Sequence, residues 1–162
     1  MRLQATVGEL VALAEAGGPL PELVRSVRAA DGVVHVELDP TLIPDAPSLL
    51  RWAAAAAGTV SVAVRVEGLR GGEAVLDVEA HVRGLPAHKL LPYLIGPVRS
   101  ALRARGLPEH LVDVRREEAG PRVVVAVQEA LNLKTTGIHL AALTLQDDTL
   151  QATVTLTPPL TF

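Results

Sequence analysis

Between residues 60 and 83 the chain alternates with a period of two on both sides of a glycine-rich turn. No other feature restricts the fold as much. In TVSVAVRVEG, Val60, Val62, Val64 and Val66 fall on one side, and Ser61, Ala63, Arg65 and Glu67 on the other. After GLRGG the rhythm returns, with Ala74, Leu76, Val78, Ala80 and Val82 set against Glu73, Asp77, Glu79, His81 and Arg83. A repeat of two is that of an extended strand, so each limb has a dry side and a wet side. Joined by a glycine turn, the limbs predict an antiparallel hairpin whose dry side needs a cover and whose other side meets water.

The cover is expected from PAHKLLPYLIGPVRSALRARG, residues 86–106. Leu91, Leu94, Ile95, Val98 and Leu102 form one apolar helical stripe, while Pro92 and Pro97 predict two short segments in place of one straight rod. Within it, LLPYLIGPV is nine residues without a charge, with Tyr93 at its centre. A broken helix packs less completely than a straight one and leaves room for a pocket. Leu91, Tyr93, Leu94, Ile95, Val98 and Leu102 are therefore the candidate ligand-binding residues, for an apolar small molecule or lipid.

Around this unit, residues 3–30 read as a helical pair or one broken helix. The signals are Leu3, Val7, Leu10, Val11 and Ala14, then, past Gly17-Gly18, Leu20, Leu23, Val24 and Val27. VVHVELDP reads as a strand, and SLLRWAAAAAG as a short helix on its alanines. LVDVRREEAGPRVVVAV reads as strand, acidic turn, strand, and QEALNLKTTG as a connector. IHLAALTLQDDTLQATVTL closes the chain as a hairpin. With Asp147-Asp148 as a two-residue turn, Leu145 pairs with Leu150, Leu143 with Ala152 and Ala141 with Val154. Ile138 and Leu140 have the wrong parity for that face, which a bulge near Ala141-Ala142 would reconcile. The expected fold is α+β: a curved antiparallel sheet of β-hairpins packed against amphipathic helices in a single domain, 1–162. Residues 1–84 and 85–162 share the order helix, strand, connector, hairpin, which suggests two pseudo-repeated halves.

Composition narrows the function mainly by exclusion. Trp52, Tyr93 and Phe162 are the only aromatics, so stacking platforms for bases or sugars are missing. A net charge of −3 argues against a nucleic-acid partner. Cations are almost all arginine, with Lys89 and Lys134 the exceptions, a bias that coding composition or a hot habitat would equally produce. There is no cysteine, hence no disulfide, thiolate metal site or cysteine nucleophile. His35, His81, His88, His110 and His139 never occur as HxH, HxxxH or HExxH, and no metal or other cofactor is expected. Ser26, Ser48, Ser61 and Ser100 sit in no nucleophile elbow, and the acidic pairs Glu117-Glu118 and Asp147-Asp148 read as turn residues. Arg99, Arg103 and Arg105, with His88 and Lys89 nearby, read as the solvated side of a core-facing helix. Glu9 and Glu15 interrupt any signal-like apolar run, and WAAAAAGTVSVAV at 52–64 is too short to span a bilayer. A cytoplasmic chain without a transmembrane segment is the expectation.

GLPAHKLLPYL, then VVVAVQEAL, then IHLAALTLQDDTLQATV together resemble the bacterial LmeA-like phospholipid-binding proteins, relatives of the tubular lipid-binding group, over roughly residues 59–157. The resemblance implies a curled sheet and helix enclosing an apolar groove for acyl chains. Members of that family usually enter the envelope through a signal or anchor, which this N-terminus does not show. Two alternatives stand beside a non-enzymatic lipid binder. One is an interaction protein that covers its apolar excess as a homodimer. The other is a small enzyme using strand histidines and carboxylates.

Overall fold

The computed structural model describes residues 1–43, 48, 59–81, 87–118 and 120–162. The alanine-rich segment expected to be a short helix, and Val82 and Arg83 of the hairpin, lie outside the described residues. The chain is α+β, and its described strands form two antiparallel sheets.

The chain opens with strand β1 (Arg2–Thr6) and helix α1 (Val7–Ala16). Strands β2 (Val24–Ala30), β3 (Val33–Leu38), β4 (Val60–Arg70) and β5 (Glu73–His81) follow as a meander. Helix α2 (Ala87–Ala104) comes next, then β6 (Val112–Glu117), β7 (Gly120–Val125) and the short helix α3 (Val127–Asn132). The hairpin β8 (Thr136–Gln146) and β9 (Thr149–Thr161) ends the chain. Six strands run in the order β2-β3-β4-β5-β7-β6, and three in the order β1-β9-β8. Neither sheet belongs to one half of the sequence, since β6 and β7 join the meander and β1 pairs with β9.

The β4–β5 hairpin has the register its alternation requires: Val62 faces Ala80, Val64 faces Val78 and Val66 faces Leu76. A bulge between Val66 and Gly68 shifts the remainder towards the turn at Gly71-Gly72. The terminal hairpin pairs Leu145 with Leu150 and Leu143 with Ala152 around Asp147-Asp148. The bulge falls between Leu140 and Ala142, and it is Leu140, not Ala141, that faces Val154. Ala141 is the extra residue, which returns Leu140 to the face of Leu143.

Residues 24–30 correct the helical reading of this region. They form β2, paired along β3. Val24 and Val27 are three apart, a helical spacing, yet Val24 faces Leu38 and Val27 faces Val36 because a bulge at Arg25 shifts the parity between them. A bulged strand and a helix produce the same local pattern, and the pairing with β3 decides between them. Residues 2–6 are likewise strand, Leu3 facing Ala152, and the helix starts only at Val7. Its start is a capping box. The Thr6 hydroxyl accepts from the Glu9 N–H at 3.1 Å, and the Glu9 carboxylate accepts from the Thr6 N–H at 2.7 Å. The expected connector at 128–137 overlaps α3, whose Gln128 reaches β8.

Helix α2 is one element through both Pro92 and Pro97, not two segments. It lies across the inner face of the larger sheet, where Leu91 and Leu94 join Leu23, Leu38, Val60, Val62, Val78 and Ala80 in the core. The sheet's outer face is not wholly wet, contrary to the simple reading of the alternation. Arg65 and Glu79 stand 3.5 Å apart there, and Arg122 bridges Glu67 and Asp77 at 3.1 Å each. Ala63, Val75 and Val124, whose parity also points outward, are nevertheless buried. Strand β8 runs against β4 and helix α3 against β5, so the smaller sheet and its helix cover that side.

Candidate functional site

The site is the space left between α2 and the sheet. Val36 and Leu38 of β3, Val62 and Val64 of β4 and Leu76 and Val78 of β5 form its floor. These are alternate residues of neighbouring strands, so one face of three strands makes a continuous aliphatic surface. From above come the helix residues Leu91, Leu94, Ile95, Val98, Ala101 and Leu102. The groove holds about 430 Å³, and its lining is apolar except for Arg105. That volume lies within the range of small-molecule sites, roughly 300–1,000 Å³.

A proline-containing helix explains why space remains. Pro92 and Pro97 lack the N–H that would bond the preceding turn, and their rings crowd the carbonyls four residues back. Ala101 brings only a methyl group to the groove wall. The helix is anchored where its large residues reach down: Leu91 is 5% exposed and Leu94 is 9% exposed. Further along, Val98 is 42% exposed although it belongs to the same stripe.

Five of the six expected ligand-binding residues, Leu91, Leu94, Ile95, Val98 and Leu102, are on the groove wall. Tyr93 is half-buried and packs against the core cluster. Sequence reasoning did not pick out Leu23, Val24, Val36 and Leu38 as wall residues. Their signal was present for β3, where VVHVEL alternates, but the bulge in β2 disguised the first two.

Arg105 closes one flank of the groove and is tied to the chain around the end of α1. Its guanidinium donates to the Ala14 carbonyl at 3.1 Å and the Gly18 carbonyl at 3.2 Å. Those carbonyls belong to the last turn of α1 and the loop after it, where a helix leaves its acceptors unsatisfied. Arg103 lies 2.6 Å from Glu109 and donates to the Ser100 hydroxyl at 3.2 Å. Arg103 and Arg105 of the basic cluster thus make internal contacts.

His35 is on β3 of the larger sheet, His139 on β8 of the smaller one, and His110 contacts the Glu129 carboxylate of α3. Among the described residues no group of three or more His, Asp or Glu side chains is placed to hold a metal ion. Asp147-Asp148 does structural work at its turn. An Asp147 carboxylate oxygen accepts from the Asp31 N–H at 2.9 Å, and the Asp148 carbonyl accepts from the Val7 N–H at 2.8 Å. No helix among the described residues is long and apolar enough to cross a membrane. Comparison with known proteins finds no matching family model, curated protein or solved structure.

Proposed function

We propose that this chain is a non-enzymatic binding module that takes an apolar ligand, a lipid acyl chain or a comparable hydrophobic molecule, between α2 and the six-stranded sheet. The observation that carries the reading is a groove of about 430 Å³ whose single polar wall residue, Arg105, is already occupied by two backbone carbonyls. Such a wall offers a ligand dispersion contact and exclusion from water, and no directional chemistry to react with it. The resemblance of residues 59–157 to LmeA-like proteins points the same way.

The test is binding of n-alkyl alcohols of increasing length to the purified chain, followed by calorimetry and native mass spectrometry. Each methylene that enters the groove contributes about 0.8 kcal/mol, so affinity should rise roughly fourfold per carbon until the groove is full. A bare mass after gentle purification, together with no dependence on chain length, would overturn the reading.

A further inference from the structure

On the side of α2 towards β6 the apolar groove adjoins a second concavity, and the two share Leu91 and Ile95 as a common wall. The neighbour, of about 600 Å³, is polar where the first is not. Arg99, Asp113, Arg116 and Glu117 contribute to it. Helix geometry brings Arg99 there, because Leu91, Ile95 and Arg99 are spaced by four and lie along one side of α2. Strand geometry brings Arg116, which follows Val112 and Val114 at alternate positions. The dry face of β6 therefore ends in a cation.

Among the described residues neither arginine is fully paired. Among the described residues, the Nε of Arg99 is the one buried side-chain nitrogen or oxygen with no hydrogen-bond partner. Its Nη2 is 3.8 Å from Asp113 Oδ1, beyond hydrogen-bond distance, and that same oxygen accepts from the Val114 N–H at 2.9 Å. The Arg116 side chain has no hydrogen-bond or ion-pair partner among the described residues. The Arg99 side chain as a whole is 39% exposed and Arg116 is exposed, so guanidinium N–H groups other than that Nε remain open to a ligand. The contrast with Arg105, on the other side of the helix, is direct: that guanidinium is held by two carbonyls.

We propose that the ligand is an anionic amphiphile whose tail fills the apolar groove and whose oxyanion head, carboxylate or phosphate, is received by Arg99 and Arg116. This rests on the apolar-groove reading and adds the chemistry of the head. Asp113 and Glu117 border the same concavity and temper its field. A planar guanidinium suits both oxyanions, since each presents paired oxygens to its parallel N–H groups.

Calorimetry of the full chain with dodecanol, laurate and a dodecyl phosphate monoester separates the claims. Both anions should bind roughly tenfold tighter than the alcohol, as one or two charge-assisted hydrogen bonds imply. In Arg99→Gln/Arg116→Gln the advantage should fall to within about twofold, with dodecanol affinity unchanged. Should the double variant melt early, Arg116→Gln alone should lower the advantage about threefold. Equal binding of alcohol and anions by the unaltered chain, or an advantage that survives the double substitution, would overturn the head site and leave the groove intact. Failure of all three probes would overturn both. The ratio of laurate to phosphate ester assigns the head as carboxylate or phosphate, and either ratio supports the site if both exceed dodecanol.

Discussion

Ala101→Leu gives a test in which the sign alone is decisive. Ala101 is on the fourth turn of α2 with its methyl group on the groove wall, where Leu76 and Val78 form part of the floor. Leucine adds three carbons to that wall. If the space is empty in the free protein, burying them contributes about 0.8 kcal/mol each, and the variant should be about 2 kcal/mol more stable. If the helix were instead close-packed on the sheet, the same carbons would overfill it and cost about 1–3 kcal/mol. Urea unfolding monitored by far-ultraviolet circular dichroism reads the difference, and an unchanged slope would show that the native and unfolded states are otherwise comparable. The same substitution takes room from a ligand: three displaced methylenes weaken alkyl binding on the order of fiftyfold. Stabilisation with weakened binding is the expected pair. Destabilisation with binding intact would refute the groove as the ligand's place.

Three further substitutions test the fold around the site. Gly72→Ala should destabilise by about 1–3 kcal/mol, because Gly72 has φ +83° and an added Cβ would stand 2.8 Å from the Gln128 Cβ; chemical denaturation measures it. Gln128→Ala should cost a similar amount, about 1–3 kcal/mol, and speed amide exchange along β8. It removes the side chain that donates to the Ile138 carbonyl at 2.8 Å and accepts from the Leu140 N–H at 2.7 Å. Asp39 is held down to about 2 from the ordinary 3.8, first by the Thr41 hydroxyl, then by Arg25 and the Thr41 N–H. Its folded value lies below its unfolded one, so its contribution is complete above about pH 4 and is lost as pH falls towards 2. Thr41→Val should raise the Asp39 pKa and move the acid-unfolding midpoint upward, read by carboxyl NMR and circular dichroism.

What was legible in the sequence follows from how local each signal is. The faces of the β4–β5 hairpin, and the β8–β9 register from the turn as far as Leu143 opposite Ala152, were readable because alternation, turn residues and partner strand all fall within about 25 residues; beyond the bulge Val154 faces Leu140 and not Ala141. The stripe Leu91, Leu94, Ile95, Val98 and Leu102 was readable for the same reason, with all its members on one helix. Val24 and Val27 were misread because the Arg25 bulge imitates a helical spacing, and only Leu38 and Val36 across the strand pair reveal it. Tyr93, chosen for its position between the prolines, packs against the core cluster to which the wall residues Leu91 and Leu94 also belong. The partly unsatisfied Arg99 had no signal at all in the sequence, since arginines of a helix's polar side look alike until their neighbours are known.

The chain by itself determined which faces of its elements are apolar: the period of two in its ribbons and the period near four in α2 follow from backbone geometry and side-chain chemistry alone. Only the tertiary structure decided how those surfaces meet. It divided the strands into two sheets, laid the smaller over Ala63, Val75 and Val124, and seated α2 on Leu91 and Leu94 while leaving Ala101 on the wall of a groove. Pairing between strands distant in sequence, and the fit of one apolar face to another, depend on the whole set of contacts at once. No local window contains them, and the groove is what remains where that fit is incomplete.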